Sequence, residues 1–207
     1  MVFNFKGTIM IFSEYQELAL RTAKLEEPAT RKALHCGIGL ITEVGEIADA
    51  HKREIFYGKE IDKVNTLEEV GDLLWYVALG CNAIMFNMDE AEAIPVEDKY
   101  LEPPVDYTIA SIAKYASYIS TTASFGSEEK LYENYMAYDL VRVLHFIRVY
   151  CAKTGIDYDK AKDVNIAKLK ARYPDGFSED KALNRDTEAE RIVLEQGAES
   201  SEVDIQV

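Results

Sequence analysis

The chain has 207 residues and a formal net charge of −14, and 48% of its residues are apolar. This length and apolar content predict a sizeable core in one domain or in two small ones. The negative charge argues against general binding to nucleic acid or to anionic membranes. It leaves room for a polyphosphate substrate, because a bound divalent metal reverses the sign of the charge locally.

The cysteine and hydropathy patterns predict a cytoplasmic protein. Cys36, Cys81 and Cys151 stand far apart in apolar surroundings, which is typical of buried thiols in a reducing compartment. The three histidines are scattered, so a zinc site is not expected. No apolar run reaches the roughly 18 residues of a membrane span, and the N-terminus lacks the pattern of a signal peptide. We therefore expect no membrane contact.

Helical signals dominate from the N-terminus, and strand signals are weak along the whole chain. Residues 1–12 are an N-terminal extension, after which the capping box Ser13-x-x-Gln16 predicts a first helix. A second, longer helix is predicted to reach about Tyr57, where Gly58 gives a C-cap signal.

The third predicted helix, from about residue 66 to residue 88, is apolar almost all round and is therefore expected to be buried. One capping box at its start would pair Thr66 with Glu69, and the alternative would pair Asn65 with Glu68. The second alternative leaves Glu69 free for another role.

The second half of the chain is predicted to add further helices after a connector that contains three prolines. Together the elements predict an all-α antiparallel bundle of about five to six helices. The last residues of the chain look mobile from their composition. The predicted later spans are about 107–124 before Gly126, 128–154 before Gly155, 157–173 with Asp157 as its cap, and a short amphipathic helix near 187–194.

Two acidic pairs stand on the second and third predicted helices. Glu43 and Glu46 are spaced i, i+3, as are Glu69 and Asp72, so each pair projects from one side of its helix. A short polar link favours an antiparallel hairpin, which would bring four carboxylates to one place. Buried carboxylates repel one another unless a proton or a cation neutralises them, and hard oxygen ligands suit Mg²⁺ or Mn²⁺. The alternative is that both pairs are ordinary helix-surface or capping charges.

A basic stripe occupies the last predicted core helix. Asn165, Lys168 and Arg172 lie at i, i+3 and i+7 on one face, and such donors can hold phosphate oxygens. Tyr173 can stack on a base or pack in the core. The alternative is a solvated basic face near a helix C-terminus.

A shift of sixty-eight residues aligns parts of the two halves of the chain. With one gap, Asp72 meets Asp139, whereas Glu43 meets Ser111 and Glu69 meets Met136. A degenerate internal duplication, in which the second half packs on the first as a pseudo-dimer, is one interpretation. Coincidence between apolar helices is the other.

ExxE at Glu43–Glu46, followed after twenty-two residues by EExxD at Glu68–Asp72, resembles the MazG-like members of the all-α NTP pyrophosphatases. The segments GDLLWY and NIAKLKARYPDGF are similar to the family as well, and the likeness covers about residues 13–88 and 156–186. Residues 95–155 depart from the short family members, although dimeric dUTPases of the same superfamily likewise resemble fused pairs.

The resemblance implies one domain over residues 13–178, with a metal-binding half at 13–94 and a second half at 107–178. Residues 179–207 are left as an acidic C-terminal tail. It also implies hydrolysis of a nucleoside triphosphate between the α and β phosphates, for pool cleaning or for supplying a monophosphate to cellular or phage DNA synthesis.

The residue roles follow from the same resemblance. The ligands of Mg²⁺, for which Mn²⁺ can substitute, would be Glu43, Glu46, Glu69 and Asp72, with Glu43 or Glu46 activating the water. A homo-oligomer, a dimer or a tetramer, is expected. The implied substrate-binding residues are Lys168, Arg172, Asn165 and Tyr173.

Two other functions compete with this one. A di-iron carboxylate bundle would need Glu-x-x-His ligands, and no histidine follows either acidic pair at that spacing. A catalytically inactive helical interaction module would tolerate the loss of Glu46 or Asp72.

Overall fold

The computed structural model describes residues 10–93, 98–125 and 135–199. Within these ranges the chain forms nine α-helices and a short 3₁₀ turn, with no strand, and the helices pack as a bundle. The all-α fold predicted from the sequence is therefore confirmed. The helices are α1 (Phe12–Leu20), α2 (Ala29–Tyr57), α3 (Lys63–Ala83), α4 (Met88–Glu92), α5 (Val105–Phe125), α6 (Tyr135–Thr154), α7 (Tyr158–Arg172), α8 (Glu179–Leu183) and α9 (Thr187–Glu199).

Helix α3 lies at the centre of the bundle, in contact with α1, α2, α6, α7 and α9. Leu73, Leu74 and Val77 are fully buried in these contacts. The prediction that this helix is buried is confirmed, and its apolar composition is the reason, because five other helices pack against it. Helix α5 packs along α2, and α6 packs against α5 and α3, so the second half of the chain covers the first helical hairpin.

Several helix ends follow local signals that the sequence predicted. Gly58 ends α2 with φ of 65°, and Gly155 follows α6 with φ of 71°, a left-handed conformation that favours glycine. Asp157 caps α7, where its side chain accepts a hydrogen bond from the backbone N–H of Lys160 at 3.0 Å.

The start of α3 differs from both predicted capping boxes. Asp62 is the cap, because its side chain accepts hydrogen bonds from the backbone N–H groups of Val64 at 2.9 Å and Asn65 at 3.1 Å. The helix therefore begins at Lys63 rather than near Thr66. It also ends earlier than predicted, at Ala83, before a turn in which Met85 has φ of 54°.

The capping box predicted at Ser13 is also wrong. Helix α1 begins at Phe12, and the backbone N–H of Ser13 donates to Asp89 Oδ1 at 2.9 Å. The Gln16 side chain bonds to the backbone of Phe86 and Met88 instead of returning to the helix start. The Ser13 N–H and the Gln16 side chain, which would pair in a local capping box, are therefore both hydrogen-bonded to residues 86–89.

Some predictions lie outside the described residues. These include the stop at Gly126, the start of the following helix near residue 128, most of the N-terminal extension and residues 200–207. The three cysteines are buried, as predicted. Among the described helices, none combines the length and apolar character needed to cross a lipid bilayer.

Gly71 sets the spacing between α3 and α7. A Cβ atom at this position would lie 2.8 Å from Asn165 Cβ and 3.1 Å from the carbonyl oxygen of Ala161. We expect Gly71→Ala to lower the free energy of unfolding by about 1–3 kcal/mol, because the two helices must separate. Urea unfolding would measure this change.

Gly45, on the open side of α2, offers a matched control because a Cβ atom there meets nothing within 4 Å. Gly45→Ala should raise stability by up to about 1 kcal/mol, since alanine favours a helix. Equal effects of the two substitutions would contradict the close packing of α3 on α7.

Candidate metal and phosphate site

Three carboxylates meet between α2 and α3. Glu43 comes from α2, and Glu69 and Asp72 come from successive turns of α3, with one oxygen of each lying within 4.8 Å of the others. The short link between the two helices makes them neighbours, and the i, i+3 spacing on α3 then directs both of its acids toward Glu43. We call these three residues the acid cluster.

Glu46, the fourth predicted ligand, lies apart from the acid cluster. Its side chain is exposed and lines an adjoining hollow of about 270 Å³ together with Arg53 and Asn65. Asn65 connects this hollow to the cluster, because its amide donates to Glu69 Oε1 at 3.1 Å. The structure thus brings three of the four predicted ligands together, and a ligand role for Glu46 stays a prediction.

The acid cluster holds negative charge at an energetic cost. Burial, the hydrogen bond with Glu43 and the charge of Asp72 raise the pKa of Glu69 to about 9. Burial and Asp72 also raise the pKa of Glu43. Without a cation, the hydrogen-bonded pair of Glu43 and Glu69 therefore holds a proton at neutral pH. Carboxylate oxygens are hard ligands that suit a divalent cation. Such a cation would displace the proton and compensate the negative charge of the cluster.

This proton predicts a pH dependence of metal binding. Below the raised pKa of Glu69 a metal ion must displace the proton, and above it no displacement is needed. We expect the affinity for Mn²⁺ to rise between about pH 6 and about pH 9, by up to about tenfold per pH unit. Titration followed by electron paramagnetic resonance would measure it. An affinity that stays flat over this interval, or that falls, would contradict the arrangement.

Lys168 is paired with the acid cluster. Its side chain is 1% exposed, and its ammonium lies 2.6 Å from both oxygens of Asp72 and 3.2 Å from Glu68 Oε1. Burial alone would lower the pKa of this ammonium, but Asp72 and Glu68 outweigh that effect and raise it. A charged, buried lysine therefore stands beside the predicted metal position.

Asn165 fixes the same carboxylate from a second direction. Its amide donates to Asp72 Oδ1 at 2.8 Å, and its oxygen accepts a hydrogen bond from the buried hydroxyl of Tyr15 at 2.9 Å. Asn165 and Lys168 were both predicted at the site from the basic stripe, and the structure places both against Asp72. Tyr15 was not predicted, because only the fold brings α1 to this point.

Arg172, the third member of the predicted stripe, is held by a residue that the sequence did not single out. Glu190 of α9 accepts from Arg172 Nε at 2.6 Å, and its other oxygen accepts from Nη2 of the same arginine. Arg185 Nη2 donates to that second oxygen at 2.7 Å. The amphipathic helix predicted near residues 187–194 was the available signal, but its partner on α7 is set by tertiary structure.

A cavity of about 320 Å³ extends from the acid cluster to these arginines. Glu43 and Asp72 stand on its wall, as do Arg172 and Arg185, so carboxylates and cations face the same space. Five of the eight other lining residues carry planar rings, which suits a flat ligand. The rings on this wall belong to His35, Trp75, Tyr76, Tyr173 and Phe177.

The aromatic wall is built by close packing. Gly39 of α2 lets the Tyr76 ring lie against the helix, since a Cβ atom there would collide with that ring. Trp75 is oriented by its indole N–H, which donates to Thr22 Oγ1 at 2.9 Å and to the Ala19 carbonyl at 3.2 Å. Tyr173 is 8% exposed and packs on Phe177 with ring centroids 6.0 Å apart.

A scan against protein-family models and searches of curated proteins and solved structures find no match to this chain. The geometry of the site and the spacing of its motifs are therefore the basis for a functional proposal.

Proposed function

We propose that the chain is a MazG-like nucleoside triphosphate pyrophosphohydrolase, which uses Mg²⁺ to cleave its substrate into a nucleoside monophosphate and pyrophosphate. The observation that carries this proposal is that Glu43 and Asp72 of the acid cluster line an aromatic cavity that also presents two arginines. A metal ligand set, a planar-ring pocket and phosphate-binding cations then serve one substrate.

The donor set fits Mg²⁺ or Mn²⁺. Glu43, Glu69 and Asp72 offer carboxylate oxygens, the ligands that these hard cations prefer, and burial leaves the cluster in need of positive charge. When bound, such an ion lowers the pKa of a coordinated water and offsets the charge of the phosphates. Within the described residues the cluster contains no histidine, which favours this assignment over a di-iron centre.

The remaining chemistry belongs to the chain itself. The aromatic wall stacks the base and sugar and so holds the reacting phosphate near the cluster. Lys168 and Arg172 stabilise the charge that develops on the departing pyrophosphate. Either Glu43 or Glu46 orients or deprotonates the attacking water. All these groups come from one chain, so the expected homo-oligomer is not needed to complete them and stays a prediction.

The proposal is tested by incubating the protein with each NTP and dNTP in the presence of Mg²⁺, Mn²⁺ or EDTA. Chromatography should find monophosphate with pyrophosphate in the metal samples and no turnover with EDTA. Diphosphate with orthophosphate would overturn the proposed reaction. No turnover of any nucleotide would favour an inactive helical interaction module. The same series would reveal the base and sugar preference of the pocket.

A further inference from the structure

Two arginines on the cavity wall share one buried carboxylate. Glu190 is 3% exposed, and it binds Arg172 through both of its oxygens and Arg185 through one of them. The side chains of Arg172 and Arg185 are 15% and 42% exposed, and both line the cavity. One negative charge thus organises two positive ones.

The group of Arg172, Arg185 and Glu190 carries one positive charge more than its single carboxylate neutralises. Glu190 accepts hydrogen bonds from Nε and Nη2 of Arg172, and in the described part of the chain the Nη1 group donates no hydrogen bond. Both arginines can donate further hydrogen bonds while they remain bound to Glu190. A guanidinium pair with free donors is suited to the oxygens of a phosphate.

Helix α9 gives Glu190 a rigid support. Asp186 caps the helix by accepting from the backbone N–H of Ala189 at 3.0 Å. Further along, Leu194 is 1% exposed, and Gly197 packs so closely on Val164 of α7 that a Cβ atom would lie 2.6 Å from a methyl group. The segment predicted as an acidic tail therefore includes a helix fixed to the one that carries Lys168 and Arg172.

We propose that Glu190 is a positioning residue that holds Arg172 and Arg185 as one phosphate-receiving pair, which makes α9 part of the substrate site. The inference rests on the proposed function for the identity of the ligand, a nucleoside triphosphate. Arg185 then binds substrate directly, and Glu190 acts through both arginines.

The test measures binding of a non-hydrolysable α,β-methylene dNTP with Mg²⁺ by isothermal titration calorimetry. We expect Glu190→Gln and Arg185→Ala each to weaken binding by at least about tenfold. Glu190→Asp should recover part of the loss. The variant that combines Glu190→Gln with Arg185→Ala should bind at most about threefold more weakly than the weaker-binding single variant. The two effects should not add, because both substitutions disrupt the same arginine–carboxylate group.

Glu195→Gln is the matched control. Glu195 lies on the same helix, is 50% exposed, and pairs with Arg191 at 2.7 Å rather than with the cavity arginines. Its substitution should change binding by less than about twofold.

Binding by Glu190→Gln that equals binding by Glu195→Gln would overturn the inference. If Glu190→Gln does not fold, Arg185→Ala decides, since its side chain is partly exposed, and unchanged binding by that variant would also overturn it. Failure of the proposed function is a separate result, namely wild-type protein that converts no nucleotide to monophosphate and pyrophosphate.

Discussion

Asp72→Asn is expected to lower nucleotide turnover by about a thousandfold or more. Asp72 contributes an oxygen to the acid cluster and also contacts Lys168 and Asn165, so one carboxylate connects the predicted metal ligands with the basic helix. An amide in its place is a poor ligand for Mg²⁺ and carries no charge to hold the ammonium. Steady-state kinetics with Mg²⁺ and with Mn²⁺ would measure the loss.

Asp49→Asn is the control for this experiment. Asp49 is an acid of α2 that pairs with Lys52 and Arg53 and does not belong to the acid cluster. The Asp49→Asn substitution removes the same charge as Asp72→Asn but leaves the acid cluster intact. Turnover by this variant should therefore stay within about twofold of wild type. Turnover by Asp72→Asn at the level of Asp49→Asn would remove Asp72 from the mechanism.

Lys168→Met is expected to lower the free energy of unfolding by about 2–4 kcal/mol in the absence of divalent metal. The substitution leaves Asp72 and Glu68 without the ammonium that both contact, next to two further carboxylates. Adding Mn²⁺ should restore much of the loss, because the ion takes over the neutralising role. The metal-induced rise in Tm should therefore be larger in Lys168→Met than in wild type.

Lys162→Met separates this effect from the general cost of losing a buried lysine. Lys162 lies on the same helix and is also 1% exposed, but its ammonium contacts Asp159 at 2.8 Å and the Met10 carbonyl at 2.6 Å. We expect the Lys162→Met variant to be less stable than wild type, but its rise in Tm on addition of Mn²⁺ should equal that of wild type. A similar metal response in both variants would show that Lys168 does not substitute for a cation at the acid cluster.

Local signals in the sequence were sufficient for several features of the fold. Gly58, Gly155 and Asp157 each mark a helix end through their own backbone or side-chain chemistry, which depends on few other residues. The burial of α3, and with it the inward position of Glu69 and Asp72, followed from a helix that is apolar on nearly every face.

The errors arose where tertiary contacts decide between local alternatives. Asp62 caps α3 although Asn65 and Thr66 have equally suitable side chains. Glu46 lies one turn beyond Glu43, but its side chain lines the adjoining hollow beside Asn65 instead of joining the acid cluster. The i, i+3 spacing alone does not predict this difference, because Glu69 and Asp72 share that spacing and do converge. Glu190 and Arg172 are 18 positions apart, and no periodicity within either helix predicts their pairing.

The second half of the chain carries one carboxylate, Asp139, at the position that the shifted alignment matches to Asp72. Asp139 is 7% exposed, and burial raises its pKa to about 6 although Lys114 opposes the shift. Ser111 and Met136 stand where the alignment matches Glu43 and Glu69, and no second metal cluster is found among the described residues. An internal duplication that lost its ligands accounts for this pattern and stays a hypothesis.

The most direct measurement locates the oxygen that water contributes. A nucleotide that the protein cleaves is hydrolysed in ¹⁸O-labelled water, and mass spectrometry then finds the label in one of the two products. If the acid cluster holds the cation that directs water to the α-phosphorus, one ¹⁸O atom appears in the nucleoside monophosphate, and the pyrophosphate is unlabelled. Label in pyrophosphate would place the attack at the β-phosphorus. Label in orthophosphate, with diphosphate as the other product, would place it at the γ-phosphorus. Either outcome would contradict the account.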